Sequence, residues 1–496
     1  MREIYYNSTR GLNENFTASE AILQGIAGDG GLFVPNNIPF INEEELKECK
    51  HMNFKQLSLY ISKKFFTDFD ENELKKCIDM AYEHKFESED IAPLNKEGNV
   101  FYLELFHGPT LAFKDIALCL LPHLMKAAAK KQNLRKDIVI LTATSGDTGK
   151  AALEGFSDVE GTKVVVFFPE EGVSNIQKKQ MITQTGTNVK VVGIKGNFDD
   201  AQREVKRIFN DVEFKKELEK KSYMFSSANS INIGRLIPQI VYYFHGYMEL
   251  LRKGEIKFGE KINFAVPTGN FGNILAAYYS KKMGLPINRL LCASNENKVL
   301  YDFLNTGIYD AEREFLVTIS PSMDILISSN LERLIYDISG RDAGIVKDLM
   351  DDLSKRGKYK ISEHMKNEMK IFYGGFASDE ETRQSIREVF NKYKYLMDTH
   401  TSVSYSVYKK YLRDTDDNTK TIIVSTASPF KFTRSVMGTL DDKYNSKDDF
   451  QLIEVMSKVA ELKIPKPIEK LSKCKIQHST VCEINQMESE VEKFLK

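Results

Sequence analysis

The stretch Ile138-Val-Ile-Leu-Thr-Ala-Thr-Ser-Gly-Asp-Thr-Gly-Lys150 decides the fold. Its first half is apolar and β-branched, as a buried strand requires. Its second half is small, hydroxylated and glycine-rich. At a helix start, such residues expose backbone N–H groups and form a ready anion site. The segment is not a P-loop. That motif needs Gly, four residues, then Gly-Lys-Ser/Thr, whereas here Thr144 holds the first position and Ala151 the last.

The same rhythm continues outward. Val164–Phe168, Val189–Ile194, Ile262–Val266 and Leu290–Ala293 are further short apolar runs. Between them, Ala201, Val205, Ile208 and Phe209 share one helical face. Strands alternating with helices predict βαβ units and a buried parallel sheet. A late strand, Thr421–Ser425, follows a helical stretch near 401–411, and residues 311–395 read as charged and mostly helical. Residues 43–50, 54–66 and 72–83 carry helical patterning, while Gly25–Pro35 is too glycine-rich for anything but a loop. Three regions are expected: an N-terminal region, 1–95; an α/β body, 96–440, of two subdomains with the active site between them; and a tail, 441–496, packing on the body.

Composition narrows the class. The chain has 496 residues, 42% hydrophobic and 28% charged, an ordinary globular mix. Lys+Arg number 69 against 70 Asp+Glu, which argues against a nucleic-acid partner. No apolar run reaches the 18 or so residues that span a bilayer, so no membrane association is expected. Six scattered cysteines without a CxxC pair read as reduced thiols of a cytoplasmic protein. Eight histidines, none clustered with cysteines at ligand spacing, argue against a metal site.

Two more junctions carry chemistry. Val266-Pro-Thr-Gly-Asn-Phe-Gly-Asn273 lies between a strand and the apolar helix Ile274–Tyr279. Gly269 and Gly272 let the backbone close around an anion, and the helix dipole favours negative charge there. His107-Gly-Pro-Thr-Leu-Ala-Phe-Lys-Asp115 sets Lys114 beside Leu111, Ala112 and Phe113. A lysine in apolar surroundings loses hydration, which lowers its pKa and makes the amine a better nucleophile. A surface lysine is the ordinary alternative. The pairing with two anion loops favours a Schiff-base lysine.

Together these segments resemble threonine synthase, a pyridoxal-phosphate (PLP) enzyme of fold type II. The matching strings run in the family's order: Ser8-Thr-Arg10, Gly28-Asp-Gly-Gly-Leu-Phe-Val-Pro35, His107–Asp115, Thr144–Gly149, Val173–Met181, Asn229–Arg235, Gly269–Asn273 and Asp398-Thr-His-Thr401. Two positions depart from it. Ser428 stands where the family usually has His, and Thr399 stands where Pro is commoner. The resemblance implies α/β fold type II architecture, mainly parallel sheets flanked by helices, with a helical N-terminal region and helical insertions.

It further implies conversion of O-phospho-L-homoserine and water to L-threonine and phosphate by a cytoplasmic monomer or homodimer. Lys114 would carry PLP and relay protons. Gly269, Asn270, Phe271, Gly272 and Asn273 would hold the cofactor phosphate, with Thr426 and Asp147 on the ring. Ser145, Thr148, Lys178, Ser230, Asn232 and Arg235 would bind substrate, Arg235 foremost because its guanidinium suits phosphate. The alternatives are another fold type II enzyme, such as a serine/threonine dehydratase, or a non-catalytic relative that binds phosphate or PLP.

Overall fold

The computed structural model describes residues 3–496 except Asn13, Ser145, Gly172 and the side chain of Asp199. Two sheets organise the chain. In the six-stranded sheet the order is Phe372–Phe376, Ile287–Ser294, Ile262–Pro267, Thr421–Ser425, Val100–Glu104, Leu94–Glu97. Neighbours are parallel except the last pair. The five-stranded sheet is parallel throughout, in the order Val481–Glu483, Val189–Lys195, Thr162–Pro169, Asp137–Ala143, Tyr223–Ser226. Parallel strands buried on both faces explain why these runs are nearly all apolar rather than alternating.

The twenty-residue helix Ile233–Arg252 is apolar almost all round and correspondingly buried. It packs against the helices Phe54–Phe65, Lys114–Lys131 and Gly272–Lys282. The largest apolar cluster runs without a break from Ile4 to Val424, through the N-terminal region and both sheets.

The strand order places the site. Ile262–Pro267, Thr421–Ser425 and Val100–Glu104 lie side by side, so the loops leaving their carboxyl ends meet. In the other sheet Asp137–Ala143 sits between Thr162–Pro169 and Tyr223–Ser226, and the chain leaves it in one direction and returns on the other. That is a topological switch point, where α/β sheets hold ligands. Loops 144–147 and 227–232 leave there, and the Thr142 hydroxyl donates to Asn229 Oδ1 at 3.3 Å.

Residues 311–395 are mostly helical, with the edge strand Phe372–Phe376 and the strand Lys358–Lys360, which pairs antiparallel with Ile308–Asp310, among the helices. The tail beyond 440 also adds the strand Val481–Glu483 to the smaller sheet. The division at 95/96 cuts the strand Leu94–Glu97. Among the described residues, no helix is long and apolar enough to cross a membrane, no His, Cys, Asp and Glu group is arranged to hold a metal, and the six cysteines are free thiols.

Candidate active site

Lys114 is the first residue of the helix Lys114–Lys131. The loop before it is stapled to the end of the late strand. Phe113 N–H donates to Thr426 O at 2.9 Å, Ser428 N–H donates to Leu111 O at 3.0 Å, and Ala112 bridges Ala427. Leu111 takes a left-handed φ of 60° to make the turn. The Lys114 ammonium stands 3.5 Å from Asp147 Oδ2, with 13% of its side chain exposed. Burial lowers its pKa from the ordinary value. Asp147 opposes this, while Lys431 and Arg235 add to it.

Asp147 opens the helix Asp147–Phe156 and gathers partners from four elements. Its Oδ1 accepts from Lys431 Nζ at 2.7 Å and from Gln177 Nε2 at 2.8 Å. Its Oδ2 accepts from the Ser322 hydroxyl at 2.9 Å. Burial alone would raise this carboxyl, but Lys431 and Lys114 hold it well below the usual range. Ser322 N–H in turn donates to His400 Nε2 at 3.1 Å, and His400 Nδ1 lies 2.7 Å from Asp398.

The Gly269–Asn273 loop joins the strand Ile262–Pro267 to the helix Gly272–Lys282. Among the described residues, no protein acceptor receives the backbone N–H groups of Asn270, Phe271, Gly272 or Asn273. Phe271 adopts a left-handed φ of 62°, which turns successive N–H groups to one side. The loop is clamped from outside: Ser328 Oγ donates to Gly269 O at 2.7 Å, and Asn330 donates to Asn270 O. A Cβ on Gly269 would lie 2.9 Å from Ser322 O. Asn273 Oδ1 accepts from the Tyr242 and Tyr243 hydroxyls, while its buried Nδ2 has no partner among the described residues.

Arg235 sits in the first turn of Ile233–Arg252, 3% exposed. Its Nη1 donates to Ala228 O at 2.9 Å, and its buried Nε has no partner. No carboxylate pairs with it among the described residues, and burial pushes its pKa down to about 10. A buried cation without a counter-ion is costly to hold, and an anion brought beside it would relieve that cost.

The other expected residues divide. Thr426 is buried, and its hydroxyl makes no hydrogen bond within the described residues. Thr148 is half-buried beside Asp147, and Ser230 Oγ accepts from Asn330 Nδ2 at 3.3 Å. Ser145 lies outside the described residues. Two of these side chains are engaged with the protein itself. Asn232 is fully engaged as a helix cap, donating to Ile22 O and Ser227 O and accepting from Gly234 N–H. Lys178 is ion-paired with Glu170 at 2.5 Å. Ser428, in the usual place of His, caps the turn Pro429–Lys431. Sequence reasoning passed over Lys431, Gln177 and Ser322, whose roles arise only because three distant segments converge on Asp147.

Two family profiles match. One, described as threonine synthase N terminus, covers residues 5–82; the other, described as pyridoxal-phosphate dependent enzyme, covers 86–427. The chain is 37% identical over 434 residues to the threonine synthase of Pseudomonas aeruginosa, covering 87% of this chain and 89% of that one. The chain belongs to the threonine synthase family. It is similar to the crystal structure of PLP-bound threonine synthase from Brucella melitensis, with a TM-score of 0.88, 34% identity and full coverage of both chains. Threonine synthase-like 1 of Homo sapiens is 40% identical over 437 residues, covering 86% of this chain. The chain spans only 58% of that relative's length.

Threonine synthase family members of fold type II are PLP enzymes, and the residues present fit that cofactor. A buried amine at Lys114, backbone N–H groups of Asn270–Asn273 without acceptors among the described residues, and the buried Thr426 would hold its aldehyde, its phosphate and its ring nitrogen.

Proposed function

We propose that the chain converts O-phospho-L-homoserine and water to L-threonine and phosphate. The observation that carries this reading is Arg235: a buried guanidinium with no carboxylate partner among the described residues, close enough to Lys114 to lower the pKa of its amine. A buried cation in addition to the Gly269–Asn273 loop suits a phosphorylated substrate beside a phosphorylated cofactor. A dehydratase substrate carries no phosphate and would leave Arg235 without a purpose.

PLP, when bound, supplies an electron sink for charge developing at the substrate's α-carbon. The residues of the chain do the rest. The neutral Lys114 amine takes the proton from Cα and then one from Cβ, and returns protons as the product forms. Arg235 holds the phosphate while its bond to Cγ breaks, when charge on the leaving oxygen is greatest. Water adds its oxygen at Cβ. Thr426 offers a neutral hydroxyl to the ring nitrogen, where a carboxylate would instead favour a protonated ring.

The test is to supply phosphohomoserine, phosphoserine and threonine separately to the PLP-loaded protein. Threonine and phosphate should appear in equal amounts from phosphohomoserine alone. Release of 2-oxobutanoate from threonine as the main activity would favour a dehydratase, and no turnover with bound PLP would favour a binding protein.

A further inference from the structure

Lys114 and Lys431 share one carboxylate, and they share it unequally. Lys431 has no exposed side-chain surface. Its Nζ lies 2.7 Å from Asp147 Oδ1 and donates to Thr110 O at 2.8 Å. Lys114 reaches the other oxygen only at 3.5 Å, and Ser322 also claims that oxygen at 2.9 Å. Gln177, across from the Gly146 turn, pins the first oxygen from a third side. Three of the carboxylate's roughly four acceptor positions are therefore taken at short range, which leaves Lys114 the longest contact.

Among the described residues, the surrounding charges leave Lys114 no second counter-ion. From the helix Ile233–Arg252 comes the Arg235 cation, which adds repulsion. From the helix Thr399–Thr415 comes His400, whose Nε2 accepts from Ser322 N–H and so bears no proton there. Asp115 lies on the far side, holding Thr110 through its N–H and hydroxyl. Its carboxyl is raised by burial to about 6. Asp324 is held by Thr318, Asn295 and Asn297. A low-dielectric pocket with one free carboxylate keeps one ammonium, and the better-bonded lysine retains it.

We propose that Lys431 is a positioning residue for Lys114: by neutralising and holding Asp147, it leaves the Lys114 amine uncharged and ready to bond to an aldehyde carbon. The turn that delivers it explains why Ser428-Pro429 precedes it. Ser428 caps Pro429–Lys431, which directs Lys431 back beneath the Lys114 loop to the Thr110 carbonyl. The proposal rests on Lys114 being the cofactor anchor, but its test reads the amine itself.

The test uses the full chain freed of cofactor. Trace acetylation across pH, with the Lys114 peptide quantified by mass spectrometry, gives the pH at which the amine loses its proton. Lys431→Met removes a repelling charge and releases Asp147 to Lys114, so that midpoint should rise by about one unit or more. At a fixed pH below the midpoint, labelling then falls about tenfold. Lys431→Arg keeps the charge, and its midpoint should stay within about half a unit of the parent. A smaller rise in Lys431→Met, or an equal rise in Lys431→Arg, overturns the proposal. Should Lys431→Met fail to fold, Asp147→Asn/Lys431→Met, which buries no unpaired carboxylate, decides. Its two effects oppose, so a midpoint within about half a unit of the parent supports the proposal and any larger departure overturns it. Borohydride reduction of the PLP-loaded chain separates the two readings. If PLP is fixed to another lysine the functional reading falls, while the labelling result still judges the Lys431 inference.

Discussion

Replacing Arg235 by Leu tests the substrate-phosphate site, and the structure sets both the size and the sign of the effects. Among the described residues of the free chain, the guanidinium makes one hydrogen bond, from Nη1 to Ala228 O, and its buried Nε has no partner. Such a cation gains little from its surroundings and has lost its hydration. Leu removes that cost together with the single bond, so the melting temperature should fall by no more than about 2 °C, and a rise is compatible with the account. With substrate bound, the same guanidinium makes a charged hydrogen bond worth about 2–3 kcal/mol. Its loss should cut kcat/KM for phosphohomoserine by about two orders of magnitude. Bound PLP, measured by absorbance, should not change, because the cofactor cradle is formed by other residues. The assays are steady-state phosphate release and thermal melting on the same preparation. A variant that melts several degrees lower while its folded fraction turns over normally would refute the reasoning and make Arg235 a structural residue.

Gly269→Ala should weaken PLP binding measurably by equilibrium dialysis, since the new Cβ would press to 2.9 Å on the Ser322 carbonyl; full cofactor content after purification would show that the loop has been misassigned. Thr426→Asp should shift the absorbance of bound PLP and its pH dependence, because a carboxylate favours a protonated ring nitrogen; an identical spectrum at every pH would exclude Thr426 from the ring. Acid stability should follow His123 and His245, which burial holds neutral with pKa values lowered to about 4. Because the folded values lie below the ordinary 6.5, this contribution is complete above about pH 6.5 and is lost as pH falls towards 4, about 3 kcal/mol per ring at its limit. His245→Phe keeps the packing on Phe54 and should flatten the decline in melting temperature over that range; an unchanged decline would place the acid sensitivity elsewhere.

The elements read most accurately were those whose pattern is set by burial, of both faces in the strand and of one face in the helices. Thr421–Ser425 is a strand over those same five residues, and the helical patterns at 54–66 and 72–83 appear as Phe54–Phe65 and Glu71–Tyr82. Phe372–Phe376 escaped because Phe-Tyr-Gly-Gly-Phe has no β-branched residue and lies at a sheet edge. Val481–Glu483 escaped because three residues are too few to show a period. The same contrast holds at the site. Lys114, the Gly269–Asn273 loop and Asp147 stand at strand–helix junctions, where local sequence announces an exposed backbone. Lys431 follows a short turn and resembles any of the 69 basic residues; only the pairing of Thr421–Ser425 with Val100–Glu104 brings it under the Thr110 loop. Asn232 misled for the opposite reason. A polar residue just before a helix is as suited to capping as to ligand binding, and here the cap takes all its hydrogen bonds.

The central claim concerns which bond of the substrate breaks and where water adds, and an oxygen label reads both at once. The PLP-loaded protein is given phosphohomoserine in water enriched in oxygen-18, and the products are weighed by mass spectrometry. If Lys114 and Arg235 act as described, the Cγ–O bond breaks and water enters at Cβ. Threonine should then carry one heavy oxygen on its hydroxyl, and the phosphate released should carry none. Heavy oxygen in the phosphate, with homoserine as the other product, would mean hydrolysis at phosphorus and would contradict the account.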